Sequence, residues 1–298
     1  MQVILEKRSS YPDHDRLFKE LIQTFFEEFM DAFFPEESVG IDFSHVKFLS
    51  QELHSDIATG EQKRVDILAE TKRRGEETVI LIHIESQSYY QKNFPERMYD
   101  YFSMIRQKYR KPILPIAIFS YNNQKETPDF YTYQFHNLEI LRFHYLQVHL
   151  IRKNWKDYIR SNNPVAAALL SKMGYKENER VQVKLEFLRM IAHMELEPAR
   201  MSLVYGFFES YLKLDKMEEE AVMENIKNLE PEEAEQILRL PNSYFDRGYE
   251  KGKEVGKQEA AKTIAVKMLS EQVGVKFIEK ITGLSQQEIS ALKKQLEN

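Results

Sequence analysis

Two acidic residues and one amide in this chain have the spacing of a small metal site. Glu85 and Gln87 lie at the end of the apolar stretch TVILIHIESQ (78–87), and Asp66 lies in the preceding stretch RVDILAET (64–71). Because alternate side chains of a strand share a face, Glu85 and Gln87 are predicted to point the same way, together with His83. Carboxylate oxygens gathered at one place suit a hard cation such as Mg²⁺ or Mn²⁺, which polarises phosphate esters and activates water.

The link between the two stretches decides whether the acids meet. KRRGEE (72–77) is polar and contains Gly75, which predicts a hairpin turn. Pairing about that turn puts Asp66 within a residue or two of Glu85, and directly opposed residues lie about 5 Å apart. Carboxylates this close repel each other unless a cation neutralises them or one takes up a proton. We therefore predict that Asp66 and Glu85 share a site.

The remaining patterns predict the elements that position this hairpin. A helix is expected at 13–34 and a strand at 45–53, and a helix at 95–110 precedes strands at 111–121 and 138–151. The helix at 95–110 would make the next strand parallel to 78–87. This order predicts an α/β fold, in which helices flank a mixed sheet.

The pattern changes twice further along the chain. Strand signals fade from about residue 155, and prolines and glycines divide the segment up to 241 into helical stretches. The tail from 242 to 298 carries Gly248, Gly252 and Gly256 at intervals of four, which suits either a helix–helix contact or a flexible linker helix. Its terminal stretch ITGLSQQEISAL predicts two short helices that would form either a DNA-contacting helix–turn–helix or an apolar cap.

Bulk composition excludes several classes of protein. The 298 residues are 42% hydrophobic and 30% charged, which excludes a mostly disordered chain. There is no cysteine, so zinc–thiolate sites, disulfides and cysteine nucleophiles are excluded. The net charge of −5 leaves room for a local basic patch that binds nucleic acid. Because no run approaches the roughly 20 apolar residues of a membrane span, we expect a soluble cytoplasmic protein with no membrane partner.

The residues around the acids resemble a known family. Asp66 followed by Glu85-Ser86-Gln87 looks like the PD-(D/E)XK nuclease signature in a form that has glutamine in place of lysine. The chain is most similar to the Rpn family of recombination-promoting nucleases, also called YhgA-like transposases. The resemblance covers roughly residues 10–125, and the tail is also similar to tails in this family. The matching pieces are Asp15-Arg16-Leu17-Phe18-Lys19, Arg64-Val65-Asp66-Ile67-Leu68, Ile84-Glu85-Ser86-Gln87, Arg97-Met98-Tyr99 and Lys111-Pro112.

The resemblance implies a restriction-endonuclease-like fold and Mg²⁺- or Mn²⁺-dependent cleavage of DNA, linked to recombination. Together with the change of pattern along the chain, this predicts a nuclease-like domain (1–152), a helical region (153–241) and a glycine-spaced tail that is a possible assembly or DNA-contact element (242–298). Asp66 and Glu85 match the metal-binding acids, and Gln87 completes the catalytic set. Lysine would offer a positive charge at that position, whereas glutamine can only orient groups by hydrogen bonds.

Further site residues are expected on neighbouring elements. Glu52 is the first choice for a third metal-binding acid, and Glu20 is the second. Lys19, Arg64 and Arg97 are candidates for contacting phosphate. Because cleavage of both DNA strands needs two sites, we expect a homodimer.

Two rival interpretations remain open at this point. The chain could be a catalytically inactive nuclease fold that serves as a DNA-binding or protein-interaction module, or a nuclease that acts on RNA or on single strands. His83 could be a ligand or a base, but a buried histidine with a hydrogen-bond partner is the simpler interpretation.

Overall fold

A computed structural model describes residues 14–49, 52–55, 62–64, 66–122, 125–240, 260–271 and 273–296, without the side chains of 52–55, 62–64 and 294–296. The chain divides into two compact units, Met1–Ile237 and Leu238–Asn298. The first unit contains a mixed α/β arrangement, and the second is helical where it is described. No helix in the described ranges is long and apolar enough to cross a membrane.

The centre of the first unit is a five-stranded mixed sheet. Its strands lie in the order β1-β4-β5-β6-β9. β1 and β4 are antiparallel, as are β4 and β5, whereas β6 runs parallel to both β5 and β9. The strands are β1 (Ile41–Phe48), β4 (Ile67–Arg73), β5 (Val79–Gln87), β6 (Ile113–Phe119) and β9 (Leu146–His149). The predicted mixed sheet is therefore present.

The predicted hairpin of β4 and β5 forms about Gly75. Gly75 has a φ of 77°, a backbone conformation that glycine adopts without steric cost. Across the hairpin Lys72 pairs with Val79 and Ile67 pairs with Ile84. The crossover helix α4 (Phe94–Tyr109) follows β5 and leads into β6, as the sequence predicted. Its buried Met98 packs with Ala117 and Phe119 of β6.

The helix predicted for 13–34 is divided. α1 (His14–Thr24) and α2 (Phe26–Phe33) meet at Phe25, whose φ of −129° and ψ of 51° are not helical. Phe25 itself is buried, so the break preserves the apolar face that the spacing predicted. Pro35 begins the short helix α3 (Pro35–Ser38), because the first position of a helix does not need a donor N–H.

Three predicted strands are also divided. β1 starts before the predicted strand 45–53, and Glu52 belongs to a separate strand, β2 (Glu52–Ser55). β2 pairs with β3 (Gln62–Arg64) in a two-stranded sheet, so Arg64 is not part of β4. The strand predicted for 138–151 is split into β8 (Leu138–His144), which forms a hairpin with β7 (Phe130–Phe135), and β9. Alternation marks strands well, but it does not show where a chain leaves one sheet for another.

Helices fill the rest of the first unit. They are α5 (Pro164–Leu169), α6 (Arg180–Ala192), α7 (Pro198–Tyr211), α8 (Lys216–Lys227) and α9 (Pro231–Leu238), with single 3₁₀ turns at Leu150–Arg152, Trp155–Asp157, Leu170–Lys172 and Glu177–Glu179. Asn163 caps α5 and also donates to the carbonyl of Glu28 in α2, at 2.7 Å. The region predicted as helical therefore belongs, up to Ile237, to the same compact unit as the sheet.

The second unit contains helical residues 260–270 (α10), then α11 (Val275–Thr282) and α12 (Gln286–Leu296). Ala265, Ile278, Leu284 and Ile289 form its buried core. The two short helices predicted around Gly283-Leu284-Ser285 are therefore present. Gly248, Gly252 and Gly256 lie outside the described residues.

Candidate functional site

The site lies where β4 begins and β5 ends. Asp66 is in a bend directly before β4, and Ile67 pairs with Ile84, so Asp66 adjoins Glu85 across the hairpin. Arg64 and Asp66 therefore do not lie on one strand. The expected meeting of Asp66 and Glu85 nevertheless occurs, because β4 and β5 are paired up to Ile67 and Ile84.

Hydrogen bonds interlock the two acids. The backbone N–H of Asp66 donates to Glu85 Oε1 at 3.0 Å. In the other direction, the backbone N–H and the hydroxyl of Ser86 both donate to Asp66 Oδ2, at 2.7 and 2.9 Å. One oxygen of each carboxylate is thus held by the protein, while Asp66 Oδ1 and Glu85 Oε2 take no part in these bonds. The sequence analysis included Ser86 in the motif but did not predict its hydrogen bonds to Asp66.

Burial and neighbouring charge change the acidity of Asp66. Loss of hydration and then the negative charge of Glu85 raise the pKa of Asp66 to about 6, against the opposing hydrogen bonds from Ser86. Asp15, in the first turn of α1, raises this pKa further through its own charge. The sequence analysis had placed Asp15 in the family motif without linking it to Asp66. A carboxyl group that loses its proton near neutral pH is a common feature of functional sites.

A buried histidine forms a hydrogen bond with Glu85. The Glu85 residue is only 3% exposed and His83 is fully buried, and His83 Nε2 lies 2.9 Å from Glu85 Oε1. The Tyr101 ring meets the His83 ring edge-on at 5.8 Å between centroids. Burial, followed by the charge of Glu85, raises the pKa of Tyr101 to about 12, so this phenol stays protonated. His83 is therefore a buried histidine with a hydrogen-bond partner, as the simpler interpretation held.

Gln87 is buried at the end of β5 and has a fixed orientation. It is 3% exposed, and its Nε2 donates to the carbonyl of Tyr89 at 2.7 Å. Its Oε1 accepts a hydrogen bond from Arg97 Nη2 at 2.6 Å. Two of the predicted site residues, one on β5 and one on α4, are thus in direct contact.

The other predicted site residues lie on α1 and on the strands β2 and β3. Lys19 is half-buried on α1, and Glu20 on the same helix is exposed. Glu52 and Arg64 are paired in the ribbon of β2 and β3, and their side chains lie outside the described part of the structure. The described contacts therefore form two pairs, Asp66 with Glu85 and Gln87 with Arg97, and β5 carries one member of each pair.

The donor set at this point suits a hard divalent cation. Asp66 and Glu85 offer carboxylate oxygens that the hydrogen bonds above leave uncommitted, and such oxygens are the preferred ligands of Mg²⁺ and Mn²⁺. Within the described ranges, no group of three or more histidine, aspartate or glutamate residues is arranged to hold a metal ion. Two protein carboxylates are enough for Mg²⁺, which commonly keeps several waters and takes further ligands from a phosphate.

Comparison of the chain with protein-family models, with curated proteins and with solved structures finds no match. The chemistry of the site is therefore argued from its own geometry. The decisive features are two interlocked acids, one of which has a raised pKa, beside a buried amide that contacts an arginine.

Proposed function

We propose that this protein is a metal-dependent DNA endonuclease that hydrolyses phosphodiester bonds, of the PD-(D/E)XK type and similar to the Rpn family. The observation that carries the proposal is the interlocking of Asp66 and Glu85 at adjoining ends of β4 and β5. Burying two acids side by side is unfavourable by itself, and a bound cation would remove the cost. The five-stranded mixed sheet with its crossover helix supports a restriction-endonuclease-like fold.

Each residue near the acids has a definable task in this proposal. Asp66 and Glu85 would hold Mg²⁺ or Mn²⁺, whose chemistry when bound is to neutralise phosphate charge and to make water more acidic. Ser86 fixes the Asp66 carboxylate, and His83 fixes that of Glu85. Lys19 and Arg64 are retained as candidates for contacting the DNA backbone, and a homodimer is retained as the assembly that could cut both strands.

A plasmid-nicking assay tests the proposal. Supercoiled DNA is incubated with the parent chain and with Asp66→Ala or Glu85→Ala, in Mg²⁺, in Mn²⁺ and in EDTA. We expect nicking by the parent in either metal and none in EDTA. Removing a ligand should lower the rate by on the order of 100-fold or more, because changing only an outer partner of a ligand already costs 10- to 100-fold.

The matched control is Glu220→Ala, which removes an exposed acid on α8 and should cut like the parent. Equal cutting by Asp66→Ala, Glu85→Ala and the parent would contradict the site assignment. If no metal supports cutting but DNA binding survives in Asp66→Ala, the chain is an inactive nuclease fold that acts as a binding module. RNA and single-stranded substrates added in competition identify a different nucleic-acid preference.

A further inference from the structure

Arg97 has an unusual environment for an arginine. It lies in the first turn of α4, and its two terminal nitrogens donate to amide oxygens, Nη2 to Gln87 at 2.6 Å and Nη1 to Gln91 at 2.7 Å. Its Nε is buried and has no hydrogen-bond partner among the described residues. The guanidinium is therefore positioned by neutral groups and retains at least one unused donor.

Several other arginines of the first unit are neutralised by an acid. Arg142, Arg152, Arg180 and Arg189 each form an ion pair with at least one glutamate. No ion pair of the described part of the chain involves Arg97, although it is half-buried. A partly desolvated cation without a carboxylate partner is costly. Its positive potential is correspondingly available to an anion that binds nearby.

Aromatic packing keeps the guanidinium in place. Arg97 Cζ lies 5.0 Å from the centroid of the Phe94 ring and 6.0 Å from that of Tyr101. The Tyr101 ring in turn packs edge-on against the His83 ring, at 5.8 Å between centroids, and His83 Nε2 lies 2.9 Å from Glu85 Oε1. Tyr101 and His83 therefore link the guanidinium to Glu85, and Gln87, which accepts a hydrogen bond from Arg97, is two residues further along the same strand.

Arg97 also fixes what Gln87 can do. A guanidinium can only donate hydrogen bonds, so the Gln87 oxygen must face Arg97 and its NH₂ group must point the other way, where it meets the Tyr89 carbonyl. One lone pair of the Gln87 oxygen is thus committed to Arg97, and an amide oxygen is too weak a base to take a proton from water. The contribution of Gln87 is to hold the cation.

We propose that Arg97, held by Gln87, is the phosphate-binding cation of this site and stabilises the negative charge that develops on a phosphodiester. The inference rests on the proposed nuclease function, which supplies the anionic substrate. Gln87 is then a positioning residue, and the positive charge at this end of β5 comes from α4.

The test moves the charge from one side chain to the other. Arg97→Gln removes the cation, Gln87→Lys places an ammonium at the end of β5, and the double variant combines the two. Arg142→Gln is the matched control, because Arg142 also lies over a ring, that of Phe130 at 5.5 Å, but is neutralised by Glu139. Single-turnover plasmid nicking in Mg²⁺ is measured with binding of a short DNA duplex in EDTA at several salt concentrations.

We expect Arg97→Gln to slow nicking by on the order of 100-fold, as loss of a transition-state donor does. The slope of log Kd against log salt should fall by about 1, the value for one lost phosphate contact. The double variant should regain at least tenfold in rate over Arg97→Gln. The control should match the parent in both measurements.

Rates for Arg97→Gln within twofold of the parent would overturn the inference. So would a loss that Gln87→Lys fails to restore, because such a loss reflects packing of α4 alone. If the parent itself does not cut, the proposed function fails, and the salt slopes in EDTA still decide the matter for Arg97. If the slope of log Kd against log salt for Arg97→Gln then equals that of the parent, the proposed phosphate contact is overturned. A reduced slope would support a contact between Arg97 and phosphate in DNA binding.

Discussion

Opposing influences act on Asp66, and their balance sets how the site responds to pH. Two hydrogen bonds from Ser86 stabilise the charged carboxylate, whereas burial and the charge of Glu85 favour the protonated form. The second pair of effects is larger, so the pKa rises to about 6. In the absence of a cation, the folded protein therefore binds a proton at Asp66 more tightly than the unfolded chain does. The contribution of this proton to stability is present below the ordinary carboxyl pKa and is lost as the pH rises through about 6.

Stabilisation by Mg²⁺ should consequently depend on pH. Because the proposed cation would bind the deprotonated carboxylate, we expect saturating Mg²⁺ to raise the Tm more at about pH 7.5 than at about pH 5. Asp66→Asn cannot gain this charge, and its Tm should respond little to Mg²⁺ at either pH. Thermal unfolding with Mg²⁺ or EDTA, in parent and variant, provides the measurement. An equal response of Asp66→Asn and the parent would show that the cation binds elsewhere.

Single residues also show what the sequence could predict about the site. Asp66 and Glu85 were found together because a turn fixes the register of a hairpin, and register is a local property. Asp15 and Tyr101 were missed as neighbours of the acids, since both come from helices whose docking depends on the packing of the whole unit. The contact of Arg97 with Gln87 depends on how α4 packs beside β5, so sequence spacing alone could not give it.

The sequence predicted whether a segment is a helix or a strand better than it predicted where that element begins and ends. The hairpin, the crossover helix α4 and strand β6 agree with the sequence analysis, because each has a clear periodicity and a bounded length. The first helix and three strands were predicted as single elements and are each divided. At buried Phe25 the apolar spacing continues across the division, so periodicity carries no signal that the backbone turns there.

Two glycines of the helical region differ in what surrounds them, so substitution by alanine should change the free energy of unfolding in opposite directions. A Cβ at Gly174 would lie 2.4 Å from the backbone oxygen of Ile151, whereas one at Gly206 on α7 would meet nothing within 4 Å. We expect Gly174→Ala to lower the free energy of unfolding by about 1–3 kcal/mol, as overpacking does. Gly206→Ala should raise it by up to about 1 kcal/mol, because alanine favours a helix.

Urea denaturation of both variants beside the parent provides the comparison. Gly206→Ala is the internal control, since it makes the same chemical change without the clash. Equal effects of the two substitutions would show that the strand-like bridge between Asn154 and Gly174 does not constrain the fold. That bridge joins the segment after β9 to the segment after α5, so a large effect at Gly174 would locate a tightly packed junction.

At the scale of the whole molecule, the site residues that can be traced all belong to one unit. Asp66, Glu85, Gln87 and Arg97 lie in Met1–Ile237, and the helices α5–α9 stabilise the same unit through contacts such as Asn163 with Glu28. The unit Leu238–Asn298 has a core of its own, centred on Ile278 and Ile289. Cutting chemistry and assembly could therefore be separated along the chain.

Removal of the tail should lower cleavage of both DNA strands without lowering cleavage of one strand. In the proposed mechanism, one pair of acids acts on one phosphodiester. A chain that ends at Leu240 keeps Asp66, Glu85, Gln87 and Arg97, and we therefore expect it to nick supercoiled plasmid at the parent rate. If the tail assembles two copies, the truncated chain should sediment as a monomer and yield less linear DNA relative to nicked DNA. Sedimentation velocity and the time course of the two products measure this. A truncated chain that remains folded but loses nicking would instead show that the tail contributes to the DNA-bound site itself, and retention of the dimer would place the subunit contact in the first unit.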